Sequence, residues 1–530
     1  MFLAQIAGLL CLLGGVDSLK LDKGRSSVRL NQGRRFAANS TCPTDYTTYA
    51  SFGHAPYSAG KYHLPYQRPP PECRTFVSEA VEDTIQQMKT IIADPDLYRL
   101  FENSYPNTLD TTVKWKGKVK NSDEELTFII TGDIDAMWIR DSTSQLHSYL
   151  PFLKNATSRD SFASLYRGLI NLQSRFLLEA PYCNAFQAPL ESGLPPANNS
   201  GASAQTTVTP TPNNNTVFEC KYELDSIASF LQVSSEYFEA THDTKFFTKY
   251  KWVDTLEAVL KVIEDQTYPT YSANGSVVIA PYTFSAFTDR STETLSNNAY
   301  GNPVEGGTGL VRSTFRPSDD ACIYELFIPA NMMLAAKLKA AIPIIKSIGN
   351  HENLVRIMQN RVALIQDGIR TKAVTAEGVF AFEIDGFGGV NSMDDASVPS
   401  LLSAPYNGYL SRNDPIYQAS RRKILSPKNP YYMQGPVINS VGSPHIGPGW
   451  GWPMATIMQI LTSDDDEEIT HCLETLVSST NGLGLIHESI FTFNETDFTR
   501  PWFAWVNGLF GEMILDLNTR KPHLLKKSFQ

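Results

Sequence analysis

Apolar residues at three-and-four spacing recur along nearly the whole chain after Ser78, and this pattern limits the fold more than any other feature of the sequence. The stretches 78–104, 142–152, 161–179, 225–240, 244–265, 323–345, 351–373, 451–462, 464–479 and 504–517 each pair an apolar face with a polar one. An Ala-Asp-Pro break interrupts the first of them. Strand-like pieces such as 126–131 and 276–282 are few, and the strand-helix alternation of a parallel α/β sheet is missing. About a dozen helices joined by long loops rich in Gly, Pro, Asn, Asp and Trp predict an all-α toroid with minor β elements. No fixed-period repeat marks a solenoid.

With 42% hydrophobic and 19% charged residues among 530, the chain reads as ordinary globular protein. Its net charge of −10 argues against a nucleic-acid partner, which needs a basic face. The short basic runs at 421–423 and 521–527 read as solvated surface. Residues 1–18 ("MFLAQIAGLLCLLGGVDS") form a short apolar core followed by small residues, as in a secretory signal peptide, although no Lys or Arg precedes the core. A signal anchor is the alternative, but the core is short for a membrane span of about 20 residues. Export fits the acceptor sequons at Asn39, Asn155, Asn198, Asn214, Asn274 and Asn494.

Setting aside Cys11 in the leader leaves an even set of cysteines. Cys183 and Cys220 bracket a low-complexity stretch at 192–216 and are the most attractive pair, with Cys42–Cys73 next. Cys322 and Cys472 fit buried thiols equally well. None has zinc-ligand spacing. The expected organisation is a leader (1–18), an irregular region (19–74) and one helical domain (75–530) with a loop insertion at about 192–216. The chain is expected to be a secreted or lumenal monomer without stable membrane insertion.

Unusual compositions gather in the loops at helix ends. "TGDIDAMWIRDSTSQ" holds Asp133, Asp135, Trp138, Arg140 and Asp141; "KYELDS" holds Lys221, Glu223 and Asp225. "VRSTFRPSDDA" holds Arg312, Arg316, Asp319 and Asp320, and "GSPHIGPGWGW" holds His445, Trp450 and Trp452. The last, "HESIFTFNETDFTRPWFAWVN", holds His487, Glu488, Arg500, Trp502, Trp505 and Asn507. Aromatic rings that pack on pyranose C–H faces, interleaved with groups that bond hydroxyls, suit a sugar pocket. Each segment also has a plain structural reading. Ser318-Asp319-Asp320 suits an N-cap of the following helix, Asp394-Asp395 suits another, Trp502 and Trp505 suit core, and Arg140–Asp141 suits a buried ion pair.

The segments "TGDIDAMWIRDSTSQ", "KYELDS", "FRPSDDA", "IYELFIPANM", "MDDASVPSLL", "GSPH", "HESIF" and "FTRPWFAWVNGLFGEM" resemble glycoside hydrolase family 125, in order and over most of the chain after about Thr75. The resemblance is strongest to its fungal secretory-pathway branch, the meiotically up-regulated protein group. It implies an exo-acting α-mannosidase that removes terminal α-1,6-linked mannose with inversion, on an (α/α)6 barrel, with no metal and no cofactor. It places the general acid at Asp319 or Asp320 and the general base at Glu488.

Adjacent helical residues project about 100° apart, so one of the two aspartates should reach the glycosidic oxygen, and Asp319 is preferred. The other could help raise its pKa by adding negative charge. Inversion needs the two carboxyls roughly 6.5–9.5 Å apart. Trp138, Arg140 and Asp141 are expected to form the wall of the terminal-sugar subsite. Asp133, Asp225, Arg316, His445, His487, Arg500, Trp505 and Asn507 are further candidates for binding the sugar or orienting Glu488. A non-catalytic mannan-binding or cell-wall protein on the same fold, or a mannosidase of different linkage, remain alternatives. The low-complexity insertion and the Asn494 sequon lie where they would alter access.

Overall fold

The computed structural model describes residues 42–153, 161–199 and 205–530. The leader and the Asn39 and Asn155 sequons lie outside the described residues. Among the described residues, twelve helices have eight or more residues: α1 Glu79–Ile91, α2 Pro95–Ser104, α3 Ile139–Leu146, α4 Phe162–Glu179, α5 Leu224–Thr241, α6 Trp252–Asp265, α7 Ile328–Ile348, α8 Glu352–Lys372, α9 Pro415–Ile424, α10 Pro453–Leu461, α11 Asp466–Ser478 and α12 Ala504–Arg520.

Two kinds of helix are present. α8 is amphipathic, burying Leu354, Met358, Val362, Ile365 and Ile369 at helical spacing and leaving its other face to solvent. α5, by contrast, is buried on every side from Leu224 to Ser235, and α7 and α12 are nearly so. α7 is long and apolar enough to cross a membrane, but it packs against α5 and α8 inside the protein. The buried helices touch in succession. α3 packs on α5 and α5 on α7, while α10 packs on α12 and α12 returns to α3.

Side-chain caps are found on only some of the helices, and α1, α6 and α8 lack one. Asp94, Ser161, Asp414 and Asp465 cap α2, α4, α9 and α11 with side-chain hydrogen bonds. The buried helices α3, α5, α7, α10 and α12 have no such side-chain cap. Their N-terminal amides and positive dipole ends are directed instead at what lies beyond them.

Small antiparallel sheets tie these ends down. β1 Val113–Lys118 pairs with β2 Glu125–Ile129. β3 Met137–Trp138, β4 Ala185–Phe186 and β6 Val217–Glu219 form a three-stranded sheet. β5 Thr206–Thr209 pairs with β7 Thr283–Ala286, and β8 Leu326–Phe327, β9 Glu383–Ile384 and β10 Val390–Asn391 form another three-stranded sheet. β11 Tyr432–Met433 pairs with β12 Ser440–Val441, and β13 Trp450–Gly451 with β14 Ile490–Phe491. β3 runs straight into α3 and β8 into α7, while Trp452 alone separates β13 from Pro453 of α10.

Several expectations are adjusted. The strand anticipated at 276–282 lies at Thr283–Ala286, and part of the low-complexity insertion is its partner strand β5. The helix anticipated from 323 begins at Ile328, so Ser318 does not cap it; the Ser318 hydroxyl donates to Asp395 instead. Asp394 accepts from the amides of Leu401 and Leu402, which open a run of turns rather than a helix. α9 had no counterpart in the sequence reading. Cys42–Cys73 and Cys183–Cys220 are disulfide-bonded, as suits an oxidising compartment, while Cys322 and Cys472 are buried thiols.

Candidate active site

The segments entering α3, α10 and α12 converge on one small cavity of about 60 Å³. Trp138, Trp452, Phe503 and Trp505 supply its aromatic walls, and Arg140, Asp141, Asp319, His445, Glu488 and Arg500 its polar ones. The indole N–H groups of Trp138 and Trp452 are buried without a hydrogen-bond partner among the described residues. Buried donors of this kind ordinarily find a partner, so these two are free to serve a ligand. The cavity opens into a vestibule of about 580 Å³ that shares Trp138, Asp319, His445 and Arg500 with it.

Arg140 organises one side. Its Nη1 lies 2.5 Å from Glu223 and 3.1 Å from Asp225, its Nε 3.3 Å from Asp141 and its Nη2 3.6 Å from Asp319. The guanidinium also sits 5.5 Å from the centre of the Trp505 ring. The Asn184 amide spans Glu219 (3.3 Å), Glu223 (3.2 Å) and Asp319 (3.5 Å), and Lys221 lies 3.3 Å from Glu219. Asp141, Glu219, Glu223, Asp225 and Asp319 thus outnumber the cations Arg140 and Lys221. A buried excess of carboxylate is costly unless protons are retained.

Burial drives Glu223 well above the usual carboxylate range despite Arg140, with Asp319 and Asp225 adding to the rise. Burial also lifts Asp141 to about 6, with Arg140 opposing and Asp319 contributing. Asp319 moves the other way. Burial would raise it, but Lys221, Arg140 and a hydrogen bond from Glu223 hold it down at about 2. Both directions favour a protonated Glu223 beside an ionised Asp319. The expectation that the neighbouring aspartate lifts the acid's pKa is corrected here. Asp320 faces His445 instead, at 3.6 Å, raising it to about 9 against the effect of burial.

A tight turn explains why adjacent acids diverge. The Asp319 amide donates to the Arg316 carbonyl (2.9 Å) and the Arg316 amide to the Asp320 carbonyl (2.8 Å), with Asp319 at φ +65°. Aspartate tolerates this left-handed conformation better than most residues. The Asp319 carboxylate lines the cavity, whereas Asp320 is 1% exposed and lies off its wall. Glu488 approaches from the α12 side. It accepts from Thr499 Oγ1 at 2.8 Å and lies 3.5 Å from Arg500, whose Nε is 3.3 Å from Asp133.

The structure therefore gathers Trp138, Arg140, Asp141, Asp319, His445, Glu488, Arg500 and Trp505 around one cavity, with Asp133 in the vestibule. Asp225 stands behind Arg140. Arg316 lies away from the cavity, buried against Glu383 at 2.6 Å. The His487 Nδ1–H is shared between the carbonyls of Arg500 and Pro501, and its ring stacks on Phe498. Burial keeps this imidazole neutral, at about 4. Asn507 is fully buried; its side chain bonds Ser104, both backbone groups of Ile486 and the Phe503 carbonyl. From sequence, Glu223 and Trp452 stand within their segments without an assigned role, and Asn184, Thr499 and Phe503 are not candidates. Glu223 sits inside "KYELDS" and Thr499 beside Arg500, so both had a signal, while Asn184 had none.

The family profile described as "Metal-independent alpha-mannosidase (GH125)" matches residues 94–515. The chain belongs to glycoside hydrolase family 125. It is 47% identical over 493 residues to the Meiotically up-regulated gene 157 protein of Schizosaccharomyces pombe, covering 92% of this chain and 94% of that one. A family 125 α-mannosidase from Streptococcus pneumoniae, solved as a non-productive complex with α-1,6-mannobiose, superposes with a TM-score of 0.72. That match has 34% identity over 83% of this chain and 99% of the other. As a family 125 enzyme the chain is a glycoside hydrolase, and the cavity just described is its candidate active site.

Proposed function

We propose that this enzyme is an inverting exo-α-mannosidase that removes terminal α-1,6-linked mannose, with Asp319 as general acid and Glu488 as general base. The observation that carries this reading is the narrow cavity holding both carboxylates on separate segments, each against its own arginine. The α-1,6 linkage rests on the mannobiose bound by the S. pneumoniae relative. Trp138, Trp452 and Trp505 would pack on the pyranose, while Arg140, Asp141 and the two free indole N–H groups bond its hydroxyls.

In the reaction, the proton on Glu223 passes to Asp319 and then to the departing glycosidic oxygen. Glu488, steadied by Thr499 and Arg500, takes a proton from the water that attacks the opposite face of C1. Arg140 and Lys221 stabilise the Asp319 carboxylate left behind.

The succession of buried helices supports an (α/α)6 barrel. α3, α5, α7, the turn-rich segment 401–410, α10 and α12 form the inner staves, and α2, α4, α6, α8, α9 and α11 the outer ones. Secretion or residence in the secretory lumen fits the disulfides.

The test is mannose release from α-1,6-mannobiose. Wild-type enzyme is expected to turn it over, and Glu488→Gln to lose about a thousandfold in kcat while still binding substrate. Full turnover by the variant would remove Glu488 from the mechanism.

A further inference from the structure

The vestibule does not end at the rim of the catalytic cavity. Its far wall, Glu219, Lys221 and Glu293, is also the near wall of a second cavity of about 630 Å³. That second cavity runs along the β5–β7 ribbon, whose register pairs Thr206 with Ala286. At the end of the ribbon Phe287 lines the cavity and is 85% exposed. Its amide donates to the Gln205 carbonyl at 2.8 Å, fixing the backbone that presents the ring. Beside Phe284 and Ala286 the ring gives the cleft an apolar face amid polar groups such as Thr288, Asp289 and Lys221, the mixture that suits a sugar chain. Each of the two cavities lies in the size range of a ligand site.

We infer that these two cavities form an extended groove for the reducing-side remainder of the glycan, and that Phe287 is a stacking platform in it. The inference rests on the exo-mannosidase reading. Among the described residues the vestibule shares the small cavity's lining, so a terminal sugar seated there sends the rest of its chain through it, toward Lys221 and the ribbon. The groove determines substrate class in two ways. Its reach selects chains with at least two sugars beyond the scissile bond over disaccharides. Its charge selects neutral chains, because Lys221 is paired with Glu219 and Arg290 with Glu293, and Asp289 adds a further negative charge to the wall. A phosphorylated glycan meets like charge there. Gln205 and Thr206 of the second cavity, and Ala197, Asn198 and Asn199 of the vestibule, come from the low-complexity insertion, which gives that segment a role in specificity.

The experiment compares α-1,6-mannobiose with α-1,6-mannotetraose in two readouts. Calorimetric titrations of the Glu488→Gln enzyme measure binding without turnover, and wild-type kcat/KM measures both together. The tetrasaccharide is expected to bind the more tightly. Adding Phe287→Ala lowers the tetrasaccharide-to-disaccharide affinity ratio about tenfold, as loss of roughly 50 Å² of apolar contact requires. Equal affinities for the two lengths, or a ratio unchanged by Phe287→Ala at an unchanged melting temperature, overturn the groove. Length-dependent binding with no turnover of either sugar by the wild type overturns the proposed activity and leaves the groove standing.

Discussion

Around residues 316–321 the backbone turns back on itself through two hydrogen bonds, and Asp319 occupies the left-handed region at its apex. Such a conformation costs about 1 kcal/mol or more and persists where the surroundings fix it. Here Ser318 is tied to Asp395, and Asp320 lies beside His445, so of the two aspartates Asp319 alone lines the cavity. Replacing it should remove the acid and little else. Asp319→Asn is expected to lose about a thousandfold in kcat/KM on mannobiose but far less on a dinitrophenyl α-mannoside, whose leaving group needs no proton. Asp320→Asn should lose about tenfold on both, through a loosened turn. Steady-state kinetics on the two substrates separate the cases, and the reverse order would make Asp320 the acid.

The loop carrying Glu488 is held by α12 and α2 together. Asn507 on α12 clamps both backbone groups of Ile486 and accepts from Ser104 at the end of α2. Asn507→Ala strands these buried groups, and should cost about 3 kcal/mol in chemical denaturation and lower kcat more than it raises KM. A variant with wild-type kcat would show that Glu488 is positioned without it. This clamp also marks what the sequence could tell. Helices α4, α5, α8 and α12 were legible because one face or all faces repeat at 3.6 residues, and the loop segments because chemistry-bearing residues cluster locally. The partition of one long stretch into Thr244–Lys249 and α6, and the pairing of β5 with β7, were not. The Arg140–Glu223–Asp225–Asp319 network draws on three distant segments, and Asn184 joins it from a loop with no distinctive composition. From sequence, Asn507 is a candidate either for binding the sugar or for orienting Glu488, because an asparagine beside aromatics suits both roles. Only its four buried hydrogen bonds assign it to the backbone.

Across the molecule, buried acids and histidines bias stability toward low pH. Burial lifts Asp141 and Asp395 to about 6, Glu325 to about 7 and Asp394 to about 8. His445 rises to about 9 beside Asp320, and His147 rises too, because Glu512 at 3.0 Å and Glu236 at 3.1 Å outweigh its burial. All these groups hold protons in the folded state that the unfolded chain has released, so stability falls as pH rises through these values. His487, lowered to about 4, acts in the opposite sense between pH 4 and its unfolded value near 6.5. The melting temperature is therefore expected to be higher near pH 5 than at pH 8 in constant salt, by scanning fluorimetry; a rise toward pH 8 would contradict the proton assignments. Inversion by Asp319 and Glu488 at an α-1,6 bond is read out by NMR of the sugar first released from α-1,6-mannobiose, with excess EDTA present. β-Mannose should appear first and mutarotate later, at a rate the chelator does not change. First appearance of α-mannose, or loss of activity in EDTA, would contradict it.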